Sequence, residues 1–260
     1  GNLKLRLKSF RTVTSGLCGL AVWSVTGFWS FPDWLPDALT LRSWQRYGPD
    51  LREPLGETLF IAVVATGAAL VLGLACLEAE YRYGRFWMSR ALWLLYVPLL
   101  VPQVAFLMGL QTFALLVGVD ADRGAVVLAH LVFVLPYVFL ILADAFRAWD
   151  PRYAAVAAAL RAGSDRVFWA VRVPMLLRVV LNATAVGIAV SVGQYLPTLL
   201  VGAGRVQTLA TDAVALASGG DRRVIGVYAL VQTMVSLLPF LVAVILPRIV
   251  WRHRRGMLDG

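Results

Sequence analysis

The chain has 260 residues, of which 60% are apolar and 15% charged, and it carries a net charge of +9. Soluble domains are roughly 45–50% apolar, so this composition has too little polar surface to face water and excludes a soluble globular domain in favour of an integral membrane protein. The positive charge excludes nucleic-acid binding as its cause, because the basic residues lie in short separate loops and not in one contiguous basic domain with interleaved aromatics.

In chain order, Lys4, Arg6, Lys8 and Arg11 precede a first apolar stretch at 12–31. A signal peptide has a shorter apolar core and a small-residue exit. Here the exit is Trp29-Ser30-Phe31-Pro32, so the stretch reads as span 1, with Trp23, Trp29 and Trp34 near an interface. Residues 32–57 are polar, broken by Pro32, Pro36, Pro49 and Pro54, with a short surface helix expected at 39–47. Span 2 is expected at 58–77 and a short loop with Arg82, Arg85 and Arg90 follows it. Span 3, 91–117, contains Pro98 and Pro102, which neighbouring helices can accommodate. A tight turn at 120–124 leads to span 4, 125–146, interrupted by Pro136. Span 5 is expected at 175–200, then a loop at 201–224, then span 6 at 225–250 ending in Trp251-Arg252-His253-Arg254-Arg255. The fold class is therefore all-α and polytopic, with six transmembrane helices in one membrane domain covering 1–260.

Six spans put both termini on one side. Of the 24 lysines and arginines, 17 lie in the N-terminal segment and at 82–90, 147–178 and 248–255, against 7 in the remaining loops. The positive-inside rule places the richer side, with both termini, in the cytoplasm.

Catalytic signatures are missing. Lysine occurs only at Lys4 and Lys8, so a P-loop for ATP has no lysine to use. Neither His130 nor His253 has a partner at metal-ligand spacing, and Cys18 and Cys76 both fall in apolar stretches. No cofactor or metal is expected, and no enzymatic activity. His130 reads as a histidine hydrogen-bonded to a neighbouring helix, with a proton path as the alternative. Asp144 and Arg147 read as an interfacial ion pair. Uncharged polar residues mark the spans: Gln103, Gln111, Asn182, Ser191, Gln194 and Gln232. Interhelical hydrogen bonding and pathway lining are both open for them. Asn182 and Gln194 are twelve residues apart, about 120° around a helix, whereas Ser191 and Gln194 would share a face. Gly187 and Gly193 would allow close helix approach, and Pro197 frees a carbonyl. Span 5 thus suits a pathway helix, and the candidate pathway residues are Ser191, Gln194, Tyr195, Asn182 and Gln103.

The stretch 147–178 breaks the apolar pattern with helices, not with loose loop. Asp150-Pro151 is a helix start, and the following alanines favour helix. Ser164-Asp165 resembles a second cap before Val167, Phe168, Val171 and Val173. Six arginines face two aspartates across it. Periodicity and charge leave two readings level, an amphipathic hairpin on lipid headgroups and a knob that docks into another protein.

The wording of this stretch resembles the cytoplasmic coupling loop of type I binding-protein-dependent ABC importer permeases. The family pattern runs D-P-x-x-x-E-A-A-x-x-x-G-A-S, then about nine residues to a hydrophobic-x-L-P ending. Asp150, Pro151, Arg152 and Tyr153 match the run-in, and Leu160, Ala162, Val167, Phe168, Trp169, Val171 and Pro174 fall on expected positions. The family's glutamate falls on Ala155, its first alanine on Val156, its second on Ala157 and its glycine on Arg161. The resemblance resumes at Gly193-Gln194-Tyr195-Leu196-Pro197, at Gln207-Thr208-Leu209 and through 218–223, where it looks closest to permeases of thiamine-type importers.

This resemblance implies a permease subunit whose ATPase-coupling loop comprises Asp150, Pro151, Tyr153, Ala155, Ala157, Leu160, Arg161, Ala162 and Gly163. It implies separate ABC ATPase subunits that bind ATP and magnesium, a solute-binding protein outside, and a second permease unit completing the pathway. It places the chain in a bacterial inner membrane. The altered Ala155 and Arg161 point to a second unit of different sequence that retains the glutamate and glycine. The start at Gly1 fits a trimmed terminus or one half of a longer fused permease. A secondary transporter or channel independent of ATP is the competing function, and a non-transporting membrane scaffold is a third.

Overall fold

A computed structural model describes residues 15–16, 18–27, 39–84, 88–219 and 222–250. Among them there is no strand, only an isolated bridge between Thr26 and Leu39. The helices are α1 (Arg42–Tyr47), α2 (Arg52–Tyr83), α3 (Met88–Leu100), α4 (Gln103–Val117), α5 (Arg123–Arg147), α6 (Arg152–Ala159), α7 (Ser164–Met175), α8 (Leu177–Val192), α9 (Tyr195–Val201), α10 (Leu209–Ala217) and α11 (Arg222–Val250). Three of them, α2, α5 and the Arg223–Ile249 part of α11, are long and apolar enough to cross a membrane. Two bent pairs bring the total to as many as five: Trp93–Leu100 with Gln103–Val117, at 114°, and α7 with α8, at 73°. Most of the expected first span, 12–31, lies outside the described residues, and 18–24 within it is helical.

The bundle is built around α5, whose most apolar window is 56% buried, against 11% for α11. On one side α5 meets α2, which presents Thr58, Ile61, Ala62, Ala65, Ala69, Gly73 and Leu77 at helical spacing. Small residues in such a stripe let backbones approach closely. α8 closes the trio at Gly187, where an added Cβ would lie 2.6 Å from Thr66 Cγ2 and 3.0 Å from Val138 Cγ2. The expected close approach at Gly193 is not found, since that residue is exposed and only its own helix lies nearby. α11 packs on α8 and α10 through Val192, Leu209, Val224, Val227 and Tyr228.

Two spans expected as continuous helices are broken. Span 3 bends at Val101-Pro102, and span 5 ends at Val192 and restarts at Tyr195. The cause in span 5 is Pro197, which cannot donate to the Gly193 carbonyl and would clash with it in a continuous helix. Gln194 takes an extended conformation instead, φ −82° and ψ 95°. The expected loop at 201–224 contains α10, started by a reciprocal Thr208–Thr211 cap. That helix is pinned to α2, because Leu209 N–H donates to Thr58 Oγ1 at 2.9 Å.

Candidate functional site

One end of the bundle carries the 147–178 stretch. Asp150 Oδ1 accepts from the Arg152 N–H at 2.8 Å and starts α6, as its position before Pro151 suggests. Val156 and Leu160 stand out from the bundle at 61% and 77% exposure, and Tyr153, three residues before Val156, is 48% exposed with its ring against Trp149. Ala155 is exposed beside them and Ala157 half-buried. The helix ends in a left-handed turn: Arg161 has φ 57°, and the Ala162 N–H reaches back to the Ala157 carbonyl at 2.9 Å. The next cap is not the expected Ser164-Asp165. Gly163 occupies the N-cap position with no side-chain bond, Ser164 lies inside the first turn, and Asp165 turns away to Arg82 at 2.7 Å.

Beneath α6 lies a buried cation that sequence reasoning missed. Arg172, in a π-helical turn over Phe168–Arg172, is 2% exposed. Its guanidinium carbon lies 3.7 Å from the Tyr81 ring centroid and 4.1 Å from that of Trp149. Nη1 pairs with Glu78 Oε2 at 2.6 Å. Glu78 also accepts from Arg82 at 2.8 Å, and Arg82 reaches on to Asp165. The expected Asp144–Arg147 pair is not formed, because Arg147 makes a forked bond to Glu80 on α2, with both contacts at 3.0 Å. A forked carboxylate satisfies two guanidinium donors at once.

Toward the other end, a cavity of about 250 Å³ is lined by Pro98, Leu99, Val101, Gln103, Phe133, Tyr137, Val190 and Gln194. Two of the candidate pathway residues, Gln103 and Gln194, are thus brought together across the two helix breaks. Gln194 is 7% exposed, and neither atom of its amide has a hydrogen-bond partner among the described residues. Ser191 is not on the same face, because the helix stops before Gln194. Ser191 is buried against His130 instead, with Oγ 2.8 Å from Nδ1. Tyr195 is half-buried in the first turn of α9, and Asn182 is exposed and outside the cavity.

His130 ties this break together. Thr198 Oγ1 donates to the Gln194 carbonyl at 2.9 Å and lies 2.9 Å from His130 Nε2. The threonine's hydroxyl thus serves both the carbonyl and the imidazole, while the other ring nitrogen meets Ser191. The histidine therefore spans α8 and α9, bonded to both neighbouring helices.

Residues 61–256 match the family model described as binding-protein-dependent transport system inner membrane component, a range that holds both the 147–178 stretch and the cavity. The chain belongs to this family. It is 38% identical over 205 residues to the inner membrane ABC transporter permease protein YnjC of Escherichia coli, a match covering 79% of this chain and 39% of that protein. It is 30% identical over 148 residues to the putrescine transport system permease protein PotI of Escherichia coli, covering 52% and 53%. It is 33% identical over 183 residues to the molybdenum transport system permease protein ModB of Mycobacterium tuberculosis, covering 62% and 68%. The chain thus spans about half the length, or less, of the first two relatives. Membership in this permease family makes it a helical, multi-pass inner-membrane transport component.

Proposed function

We propose that the chain is the permease unit of an ATP-binding-cassette importer, forming half of a solute pathway and coupled through α6 to a separate ATPase that binds ATP and magnesium. The observation that carries this reading is the stand-off of α6. A short helix with a protruding apolar stripe is a poor fit to water and a good fit to a groove on a partner. Its basic flanks and the arginine count support a cytoplasmic position for this loop and both termini. The cavity at Gln103 and Gln194 faces the pathway, where an unpartnered amide can bind solute in passage. A solute-binding protein on the outer side and a second permease unit complete the assembly.

The second unit is of different sequence. Arg161 occupies the left-handed position that a glycine adopts without penalty, at a cost of roughly 1–2 kcal/mol for other residues. A sister loop with glycine there, and with glutamate at the place of Ala155, would make the stronger contact.

The test is co-purification from the host membrane in detergent. An ATPase subunit with a nucleotide-binding P-loop should be recovered with the chain, and Leu160→Asp should lower its recovery at least tenfold. Cysteine introduced at Gly219 should react with an impermeant thiol reagent outside intact cells, and cysteine at Ser164 should not. Recovery without any ATPase, or outside labelling at Ser164, would overturn the reading.

A further inference from the structure

α6 touches the bundle sparingly. A cavity of about 240 Å³ lies under it, reached by Ala154 and Ala162 on the loop and by Tyr81, Arg82 and Arg172 below. A second cavity, about 330 Å³, opens on the other side, between Pro151 and Trp149 and the α2 residues Leu77, Glu80 and Tyr81. Between these voids runs a stack of contacts that centres on Arg172, with Tyr81 and Trp149 also meeting edge to face at 6.0 Å between centroids. Tyr153 on α6 packs against Trp149 at 5.8 Å between centroids, Trp149 covers one face of Arg172, and Arg172 lies against Tyr81 on α2. Glu78, one turn before Arg82 on α2, fixes the charge of Arg172 at 2.6 Å.

We propose that Arg172 is the positioning residue that carries a displacement of α6 into α2. This rests on the reading of α6 as the ATPase contact. The physical argument is one of stiffness and slip. A guanidinium is flat and stacks on aromatic faces, while Nη1 alone holds the Glu78 carboxylate and Nε and Nη2 find no hydrogen-bond partner among the described residues. The rings can therefore shear across Arg172 without the contact opening, and the Glu78 pair keeps the cation from leaving its slot. A buried, paired charge resists separation because an unpaired one has no solvent to turn to. Pushing α6 then moves the C-terminal end of α2, whose other end carries Thr58 and the cap of α10. With the stack removed, the voids on either side would absorb the push.

The experiment uses the intact complex of this chain with its ATPase, reconstituted in lipid nanodiscs. Cys76 is exposed on α2, two residues from Glu78, and takes an environment-sensitive fluorophore in a Cys18→Ser background. ATP with magnesium, then vanadate, is the only probe added. In the parent complex the fluorophore should respond to ATP. In Arg172→Met the ATPase should still assemble and hydrolyse ATP within about twofold of the parent rate, while the Cys76 response per assembled complex falls at least fivefold. Tyr81→Leu, which keeps the Glu78–Arg172 pair and removes one face of the stack, should lose most of the response too. Arg172→Lys keeps the charge but not the stack, and should not restore it. A Cys76 response per assembled complex that survives in Arg172→Met or in Tyr81→Leu overturns the proposal while leaving the ATPase contact standing. A parent complex whose Cys76 signal ignores ATP overturns the proposal, whereas a chain that recovers no ATPase overturns the reading beneath it.

Discussion

The two ends of the bundle solve the same problem, polar groups beside a membrane, with different chemistry. At the α6 end the buried groups are ionic: Arg172 on Glu78, and Glu80 beneath the partly exposed fork of Arg147, with Arg82 bridging Glu78 to the exposed Asp165 at the surface. At the other end the buried groups are neutral: His130 between Ser191 and Thr198, Thr58 against Leu209, and the open amide of Gln194. One ion pair lies there too, but it is half open to solvent: Arg123 is more than half exposed, while its partner Glu57 is mostly covered. Charges stacked on rings and locked in pairs make a stiff joint, which suits an end that takes force from a partner. Neutral hydrogen bonds of roughly 1 kcal/mol each can be exchanged one at a time, which suits a wall that opens for a solute.

The largest effect should come from breaking the ionic joint on one side only. Glu78→Gln leaves Arg172 buried without its counter-charge, a loss on the order of 3–5 kcal/mol. Glu78→Gln combined with Arg172→Gln should recover much of it, since a neutral pair replaces the orphaned cation. Thermal unfolding in detergent of the two variants decides the matter. Equal destabilisation of both would mean that the joint is held by ring packing and that its charges contribute little.

At the neutral end the same kind of change should be milder. His130→Leu removes two interhelical bonds and should cost about 1–2 kcal/mol. Its effect should stay local, loosening amide hydrogen exchange at α8 and α9 while α6 exchanges as before. Loss of protection at α6 of the same size would dissolve the distinction between the ends.

How much of this was legible beforehand depends on distance along the chain. Local signals read true: the Asp150 cap, the α6 helix, the all-helical apolar character and the bonding of His130 to a neighbouring helix, whereas the count of six spans is not reproduced among the described residues. The ionic joint did not show, because Arg147 and Glu80 are 67 residues apart and Arg172 and Glu78 are 94 apart. Helical periodicity carries information over a few turns, so Arg147 was matched to Asp144 on its own helix. The break at Gln194 was marked by Pro197, but apolarity on both sides suggested one continuous span. The 208–217 helix was hidden by its place in a loop, although Thr208 and Thr211 hold the spacing of its cap.

A smaller effect is set by pH. Asp212, on α10 outside the spans, has its carboxyl raised above the ordinary range by partial burial, with Glu53 nearby adding to the rise. A carboxyl raised in the folded state favours the fold below its ordinary pKa of about 4, and that support is lost as pH rises through the folded value. α10 should therefore be held more tightly at acid than at neutral pH. Asp212→Asn should flatten that dependence and slow amide exchange in α10 at pH 7, with the α6 end unchanged. A dependence that persists in the asparagine variant would assign it to another group.

The smallest effect should come from repairing the α6 end. Arg161 sits at φ 57°, where glycine is free of the roughly 1–2 kcal/mol that side chains incur. Glycine also loosens the unfolded chain, which offsets part of the gain. Arg161→Gly should thus raise the melting temperature of the isolated chain by no more than a degree or two, below the roughly 2–4 °C that a full 1 kcal/mol would give at this size. Adding Ala155→Glu puts a carboxylate on an exposed position and should leave the isolated chain's stability unchanged. If a sister unit already supplies the stronger contact, the double variant should alter ATP hydrolysis by the assembled complex by less than about twofold, whereas removing the sister's glutamate should cost far more. An active complex holding two copies of this chain and no other membrane subunit would defeat that asymmetry. In such a complex the double variant would act on both contacts at once and its effect would be large.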